Sequence, residues 1–425
     1  MIMKSLFIND NFTNLLFARI ISYAGTSLQG TAIALYIIDK EPSVSSLAIA
    51  LSLVIIPQIL FGPVGGLAAD RFNKRTIMMV SDIFGLCVAL FLCFSVNAGR
   101  VNISYIYLAS ILFSLSIVFF APAMDSIFPQ LMTKEELTKG NSVYNGSLDV
   151  VQIVAPMLGA AIYSVLGIKW VFLINAFSFF LSCYFLFKVN VTVVNRIPLT
   201  ELVNENKLFK TFKELFKPAE IFLKDRTLRD MMLFNYVIGV FVLPLVSIGF
   251  ISLLKNTLKL NNYFFGYLQS TLVIGAFIGA ILVNKMSKNK TSLQCVSLSL
   301  FMLAVVLILQ SLCVYALNVF ALNRFLMYAL ILILGFFLSF ILRLFYIPMH
   351  VIVQSNTELG QLGRVSSFYW MLTLIAQPMG QLSISYFIDR NALVSWLVLS
   401  SSIVLVTFLY SSRKEALICV PNSGL

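Results

Sequence analysis

Four charged residues lie within long apolar stretches of the sequence, where a charge is costly and is therefore a candidate for a functional role. They are Arg19, Asp82, Asp149 and Arg343. Counted at 1.5 Å per residue, Arg19, Asp82 and Asp149 lie about 9–11 Å inside the nearer end of their stretches, and Arg343 lies about 6 Å inside. A carboxylate at that depth could carry a proton, and an arginine could pair with it. We predict a role in coupling or gating. The alternatives are that Arg19 extends to the lipid headgroups and that Asp82 binds a group of the first stretch.

Polar and aromatic residues recur on several of these stretches and would suit the wall of a cavity for a bulky amphipathic solute. The candidates are Gln29, Asn145, Gln152, Asn235, Tyr236, Gln269, Tyr346, Tyr369, Trp370 and Gln377. For any one of them, helix packing is the alternative. His350 is the single histidine of the chain, and we expect it in a solvated loop.

Sequence signals for metal or cofactor chemistry are missing. One histidine cannot build a metal site, and the six cysteines form no C-x-x-C pair. No phosphate-binding loop, H-E-x-x-H, nucleophile elbow or nucleotide fingerprint occurs. The sequence therefore predicts no metal site, no disulfide, no cofactor and no enzymatic activity.

The composition indicates which elements position these residues. Of 425 residues, 59% are hydrophobic and 11% charged, and the mean hydropathy is +0.93. Soluble proteins average about 45–50% apolar and 25% charged residues. A membrane-spanning helix needs about 20 apolar residues, so the composition permits about twelve of them. It excludes a soluble enzyme, a disordered chain and a nucleic-acid-binding domain.

Twelve apolar runs predict twelve membrane-spanning helices. They cover 12–38, 47–69, 76–97, 104–124, 142–165, 170–190, 231–254, 264–284, 292–316, 325–347, 365–387 and 394–411. The longest polar break divides the chain into a six-helix bundle (1–190), a linker (191–230) and a second six-helix bundle (231–425). Within the linker, apolar residues and lysines alternate at helical spacing over 207–217. This pattern predicts a helix on the anionic inner leaflet, with a solvated tether as the alternative.

The basic residues predict the orientation. Most of the 30 Lys and Arg fall in the terminal segments, the linker and the loops on the same side of the membrane. Because such loops face the cytoplasm, we expect both termini and residues 191–230 there.

The two halves repeat at about 220 residues. Residues 121–124 correspond to 347–350, residues 136–142 to 359–365, and residues 154–159 to 376–380. Such internal symmetry is typical of secondary transporters, which bind a solute between two halves and rock around it.

One loop motif carries a family resemblance. Residues 62–75 read GPVGGLAADRFNKR. This segment resembles the signature of the major facilitator superfamily, G-x-L-A-D-R-x-G-R-K, with Ala68 for Leu, Asn73 for the second Gly and the final basic pair reversed. The corresponding segment 280–288 is degenerate, with Asn284 at the place of the acid. The resemblance implies an all-α integral membrane fold of twelve helices in two six-helix bundles with pseudo-two-fold symmetry.

This motif predicts a conformational switch. The switch would consist of the motif residues Gly66, Asp70, Arg71, Lys74 and Arg75, together with Asp125 outside the motif. Gly66 would let helix 2 approach helix 11 closely. Asp70 would accept backbone N–H groups at the start of helix 11, within 365–368, and meet the positive end of its dipole. Lys74 or Arg75 would pair with Asp125. The alternative is a solvated basic loop.

Residues 151–160, VQIVAPMLGA, resemble the helix 5 antiporter motif G-x-x-x-G-P-x-x-G-G. Pro156 and Gly159 match, and Ala155 stays small. Proline and small residues allow a bend and close packing. The resemblance favours an exporter over an importer.

More narrowly, residues 12–411 resemble macrolide-efflux-type drug:proton antiporters. The resemblance rests on residues 62–63, 70–71, 78–82, 121–123, 135–138 and 362–366. It implies export of amphipathic drugs, powered by a proton gradient without a cofactor. It further implies a monomer in the bacterial plasma membrane, with a small-molecule substrate, contacts to lipid and no nucleic acid. One departure is the uncharged segment 110–115, where the family often has an arginine.

Two alternative functions stay open. One is a dedicated exporter of an endogenous siderophore, peptide antibiotic or lipid, and the other is a sensor or scaffold that does not transport. The motif residues Asp70 and Pro156 argue against the second. For a transporter, we predict that Asp149 and Arg343 form a gate pair in the outward-open state, because helices 5 and 10 should converge on the cytoplasmic side.

Overall fold

The computed structural model describes residues 9–41, 43–96, 100–133, 136–190, 225–286, 291–320, 323–357 and 362–418. Twelve long helices account for most of these residues. They are α1 Asp10–Lys40, α2 Ser45–Arg71, α3 Lys74–Phe94, α4 Ile103–Ile127, α5 Leu137–Leu166, α6 Ile168–Lys188, α7 Arg226–Thr257, α8 Asn262–Met286, α9 Ser292–Phe320, α10 Arg324–Ser355, α11 Leu362–Asp389 and α12 Leu393–Ile418. Each overlaps one of the apolar runs of the sequence over most of its length, so the prediction of twelve helices is confirmed.

Ten of the twelve helices are both long and apolar enough to cross a membrane. The exceptions, α1 and α11, span 31 and 28 residues, so they have the length but are more polar. In α1, the polar residues Ser22 and Gln29 are buried within the protein. A spanning helix can carry such residues when they face other helices instead of lipid.

Local signals in the sequence fix where several helices begin. The side-chain oxygen of Asn9 accepts the backbone N–H of Phe12 at 2.7 Å at the start of α1. Asn73 caps α3 in the same way, at 3.2 Å from the N–H of Thr76. Such a cap stabilises a helix by about 1 kcal/mol. Capping thus gives a structural reason for Asn73 where the superfamily signature has glycine.

Helix α7 changes its winding along its length. It begins as an α-helix, Arg226–Phe241, and continues after Pro244 through π-helical segments at Leu245–Gly249 and Leu253–Thr257. Proline lacks a backbone N–H and disturbs the α-helical hydrogen bonds around it, which favours a wider turn nearby. The sequence analysis predicted an ordinary helix here.

Helix α10 extends beyond its predicted end at 347 and reaches Ser355. The run was ended at Pro348, but a helix can continue through a proline when neighbouring helices pack around the freed backbone groups. His350 therefore lies in α10, and its predicted place in a solvated loop is wrong.

The described residues divide into two units. The first contains α1, α2 from Ile49, α3 to α6 and residues 265–267. The second contains residues 43–48 and α7 to α12 without residues 265–267. In the first unit α1 packs along α5 and α6, and α3 packs along α4 and α6. In the second unit α9 packs along α10 and α12, and α11 packs along α7.

The predicted surface helix at 207–217 lies outside the described residues.

Candidate functional site

Asp82 is the most deeply buried of the four charged residues predicted to function within the membrane, with 1% of its surface exposed. It lies on α3 and accepts hydrogen bonds from the hydroxyls of Ser182 on α6, at 2.6 Å, and Ser22 on α1, at 3.3 Å. Ser22 is the helix 1 partner that the sequence analysis allowed for. Three helices of the first unit therefore meet at this carboxylate.

Arg19 points into the first unit towards the same place. Its guanidinium carbon lies 5.0 Å from the ring centre of Tyr23 and 5.3 Å from that of Phe120, which places the cation over two aromatic faces. The guanidinium also donates a hydrogen bond to Tyr144 and lies within electrostatic range of Asp82. Arg19 therefore contacts side chains of the first unit, and its extension to the lipid headgroups stays an untested alternative.

A cavity of about 160 Å³ lies between these residues. Arg19, Ser22, Tyr23 and Asp82 line its polar side, and rings such as Phe113 line the rest. Pockets for drug-sized ligands measure about 300–1,000 Å³. The cavity therefore has room for water molecules around Asp82 and Arg19 but not for a bulky solute.

Helix α5 adds a further acid to this network. Gln152 and Asp149 both lie close enough to the hydroxyl of Tyr23 to influence it electrostatically. Asp149 and Gln152 lie on the same face of α5 because they are three residues apart. The structure thus brings Arg19, Asp82 and Asp149, which the sequence placed on three different helices, into one polar network.

Two of the predicted cavity residues in this unit lie elsewhere. Gln29 is 3% exposed, and its side-chain oxygen accepts a hydrogen bond from Asn175 on α6 at 2.8 Å. Its prediction as a cavity residue is wrong, because the amide is used in packing α1 against α6. Asn145 is exposed on α5 and does not line the cavity described above.

The residues of the signature motif make contacts that the sequence did not predict. A guanidinium nitrogen of Arg75 donates to the backbone oxygen of Phe187 at 2.5 Å and the guanidinium lies over its ring, which ties the start of α3 to the end of α6. No ion pair joins Asp125 to Lys74 or Arg75 among the described side chains, so the predicted pairing is wrong here. Asp125 is exposed and lies within electrostatic range of Arg19.

The first half of the motif also differs from the expectation. Within the first unit the close approach occurs at Gly65, where a Cβ would overlap the backbone oxygen of Val118 on α4, whereas Gly66 has open space around it. Arg71, in the last turn of α2, has a guanidinium nitrogen that is buried without a partner in the described part of the chain. The side chain of Asp70 lies outside the described residues, and its predicted role stays a prediction.

The antiporter-like segment of α5 is a packing surface. A Cβ on Gly159 would overlap the backbone oxygen of Leu28, so glycine is required for α1 and α5 to approach this closely. Ala155 and Ala160 are buried, and Pro156 lies inside the helix.

The second unit has an aromatic cluster around His350. The imidazole ring lies 5.2 Å from the rings of both Tyr369 and Trp370 on α11. Tyr369 is 1% exposed whereas Trp370 is 54% exposed, so the cluster reaches the surface at the indole. The hydroxyls of Tyr369 and of Tyr346 on α10 are buried without a hydrogen-bond partner among the described residues. Three predicted cavity residues therefore meet here with a histidine that had been assigned to a loop.

A helical spacing could have revealed this cluster. Arg343, Tyr346 and His350 are three and four residues apart, so they lie on one face of α10. That face was missed because the predicted helix ended at residue 347. Arg343 is exposed on the same face. Its predicted pairing with Asp149 concerns two different units and stays a prediction.

The other predicted cavity residues of the second unit differ in their surroundings. Asn235 on α7 is fully buried and donates to the hydroxyl of Thr373 on α11 at 2.5 Å, while its side-chain oxygen has no partner in the part of the chain described. The hydroxyl of Tyr236 donates to the sulfur of Met379 at 3.0 Å. Gln269 and Gln377 are half-buried.

The sequence analysis also missed a buried acid. Asp230 is 1% exposed in α7 and accepts a hydrogen bond from the hydroxyl of Tyr410 on α12 at 3.2 Å. It was missed because the seventh apolar run was taken to begin at residue 231, just after it. No group of three metal-ligating side chains lies together within the described ranges.

Twelve long helices, mostly apolar, with a buried network of charged and hydroxyl side chains define a multi-pass membrane transport protein rather than an enzyme. The family model of the Major Facilitator Superfamily matches residues 15–412. The chain belongs to this superfamily.

Individual relatives are more distant. An uncharacterized MFS-type transporter of Bacillus subtilis, YkuC, is 26% identical over 261 residues, which are 60% of this chain and 58% of that protein. Macrolide efflux protein A of Streptococcus pyogenes is 26% identical over 145 residues, which are 34% of this chain and 36% of that protein. The chain thus matches between about a third and three fifths of the length of these curated relatives.

Among solved structures, a bacterial homologue of the iron transporter ferroportin in an inward-facing state has a TM-score of 0.73. It is 15% identical, and the match covers 96% of this chain and 99% of that one. At this identity the likeness shows the fold alone.

Proposed function

We propose that the protein exports amphipathic small molecules by alternating access, in exchange for protons. The observation that carries the proposal is the buried carboxylate of Asp82, which shares a cavity of about 160 Å³ with Arg19 in the first unit. The similarity to macrolide efflux protein A supports the direction of transport and the solute class.

The Asp82 site suits a proton because of the partners it has. Two neutral hydroxyls donate to the carboxylate, and the nearby charge of Arg19 is the main electrostatic influence from a cation. Taking up a proton removes the negative charge of Asp82 that attracts Arg19, so the guanidinium is then free to move towards another acid in its range, Asp125. A change in protonation therefore changes which acid holds the cation, and such a difference can shift a conformational equilibrium.

The solute needs a different surface, because the cavity at Asp82 is too small for it. The aromatic cluster of the second unit offers one: Trp370 is exposed beside Tyr369 and His350, and Arg343 follows on the same face of α10. Stacking on an aromatic ring contributes about 0.5–1.5 kcal/mol beyond area burial. A planar, neutral or anionic part of an amphipathic solute fits this combination of rings and cation.

We propose that the protein is a monomer in the bacterial plasma membrane, in keeping with its similarity to bacterial transporters of this superfamily. The distribution of its basic residues supports a cytoplasmic position for both termini. The proton gradient supplies the energy, and no cofactor or nucleic acid takes part. Small-molecule solute and membrane lipid are its partners.

The test is export by the purified protein in proteoliposomes with an imposed pH gradient, using macrolides, planar dyes and siderophores as solutes. We expect gradient-driven transport of at least one amphipathic solute. Asp82→Asn should reduce it at least about tenfold, because the amide cannot exchange the proton. Asp10→Asn, the same change at an exposed position in the first turn of α1, is the matched control and should keep the rate. Gradient-driven export by Asp82→Asn at the full rate would contradict the proposal.

A further inference from the structure

The last residue of α11 holds the beginning of α2 through a single carboxylate. One oxygen of Asp389 accepts the backbone N–H of Val44 at 2.8 Å. The other accepts the hydroxyls of Ser43, at 2.5 Å, and Ser45, at 2.7 Å, and the N–H of Ser45 at 3.3 Å. The contact lies within the second unit, because residues 43–48 belong to it.

The contact places a negative charge at the positive end of a helix. The first N–H groups of a helix have no partner within it, and a carboxylate there satisfies them and meets the helix dipole. Hydrogen bonds to an ionised acceptor are about twice as strong as neutral ones. Helix α2 also has a cap from its own chain, since the hydroxyl of Ser43 accepts the N–H of Ser45 at 3.1 Å. The role of Asp389 therefore goes beyond starting this helix.

The position of Asp389 is unfavourable for its own helix. A carboxylate in the last turn of α11 meets the negative end of that helix's dipole, where a cation would be favoured. The neighbouring Arg390 lies over the ring of Tyr386 at 4.0 Å, and no ion pair joins it to Asp389 among the described side chains. The donors at the start of α2 are thus what stabilises this acid.

The end of α11 is well defined. Asn391 adopts a left-handed backbone with φ of 56°, and the N–H of Ala392 donates to the oxygen of Phe387 at 2.8 Å. This geometry terminates a helix. One turn before Asp389, the hydroxyl of Ser385 lies 3.4 Å from that of Ser45. Asp389 and Ser385 therefore present a fixed surface to the first turn of α2.

We infer that Asp389 is a positioning residue of the transport cycle, a latch that holds the first turn of α2 on α11 and releases it when the transporter opens on this face. Helix α2 belongs to the second unit up to Ala48 and to the first from Ile49. Rocking of one unit against the other therefore has to bend α2 at this point or to break its contact with Asp389. The prolines of α2, Pro57 and Pro63, lie beyond this boundary, so a kink at Ala48 is not favoured, whereas N–H groups freed at the helix end can bind water.

The latch also mirrors the switch predicted at the other end of the same two helices. There, Asp70 at the end of α2 is expected to meet the start of α11, whereas here Asp389 at the end of α11 meets the start of α2. The inference rests on the transporter family and needs neither the proposed solute nor the proposed proton exchange.

The test measures how often the contact opens. Ser385, which is 1% exposed beneath the contact, is replaced by cysteine in a variant that lacks the native cysteines. The rate of modification by a water-soluble maleimide is measured in lipid nanodiscs, where both faces of the membrane are accessible. Asp389→Asn should raise this rate about tenfold, because losing the charge-assisted bonds increases the open population. In Asp389→Glu the modification rate should stay near that of the parent protein with the same cysteine, because the carboxylate is retained.

The matched control is Glu41→Gln. It removes one negative charge from the same loop, and its carboxylate accepts no hydrogen bond from the described residues, so the labelling rate should not change. An equal rate in Asp389→Asn and the parent protein would overturn the inference.

A second variant separates a latch from a helix cap. Ser43→Asp in the Asp389→Asn background supplies a carboxylate cap from the chain of α2 itself. For a latch, labelling of the cysteine introduced at position 385 stays fast in this variant while thermal stability recovers. If the added cap restores slow labelling as well, Asp389 acts only as a cap and the inference is wrong. Neither the labelling rate nor the thermal stability depends on transport. A negative result would therefore contradict the latch without contradicting the proposed export.

Discussion

In the first unit a carboxylate and a guanidinium share a cavity, whereas in the second unit aromatic rings and buried hydroxyls surround His350. Asp82 and Arg19 lie between α1, α3, α4 and α6. Tyr369 and Trp370 lie on α11 against α10. The second unit also buries a carboxylate, Asp230, but this lies near the start of α7, where the hydroxyl of Tyr410 donates to it.

The difference teaches that the two halves of the repeat share a framework but not a chemistry. The repeated segments share prolines, Pro122 with Pro348 and Pro156 with Pro378, and a glycine, Gly140 with Gly363. Such residues determine bends and close approaches. The polar residues do not follow the repeat. This division suits a transporter in which one half exchanges a proton and the other contacts the solute, and three substitutions test it.

The largest effect is expected from Arg19→Gln. It removes the cation beside Asp82, leaving the buried carboxylate with neutral donors, which should cost about 1–3 kcal/mol of stability. We expect gradient-driven export to fall at least about tenfold. Thermal unfolding in detergent and transport in proteoliposomes measure the two effects. Arg19→Lys keeps the charge and should retain part of the activity. Full export by Arg19→Gln would break the assignment of proton exchange to the first unit.

A smaller effect is expected from Trp370→Ala. Losing one stacking surface of about 0.5–1.5 kcal/mol should raise the KM for planar solutes about two- to tenfold and leave the maximal rate and the pH dependence nearly unchanged. Trp370→Phe keeps a ring and serves as the control. A changed pH profile with an unchanged KM would show that the cluster belongs to proton exchange instead, and the comparison would fail.

The smallest effect is expected from removing either of the two hydroxyls that donate to Asp82. The Ser182 hydroxyl lies 2.6 Å from Asp82 and the Ser22 hydroxyl 3.3 Å. A hydrogen bond contributes about 0.5–1.5 kcal/mol. Ser182→Ala should therefore shift the pH dependence of export more than Ser22→Ala does, while the KM for the solute stays constant in both. Equal shifts would show that hydrogen-bond length does not determine the influence of each hydroxyl on Asp82.

The sequence by itself determined the helices and the residues worth examining. Apolar runs long enough to span a membrane predict twelve helices because a helix satisfies all its backbone hydrogen bonds within one continuous segment. Arg19, Asp82 and Asp149 stood out for the same reason, since a charge in such a run is costly. The motif at residues 62–75 indicated the superfamily. Helix ends were less certain, as His350 and Asp230 illustrate, because capping and neighbouring helices decide where a helix stops.

The tertiary structure alone decided which of these residues meet. Asp82 and Ser182 are 100 positions apart, and Ser45 and Asp389 are 344 apart. Helical periodicity assigns a residue to a face, but the rotation and neighbours of each helix result from the packing of all helices together. For this reason the sequence offered Lys74 or Arg75 as the partner of Asp125, whereas the fold placed Arg75 on the end of α6. The same packing brought Arg19 to Asp82 and placed Asp389 at the start of α2, which no local pattern could indicate.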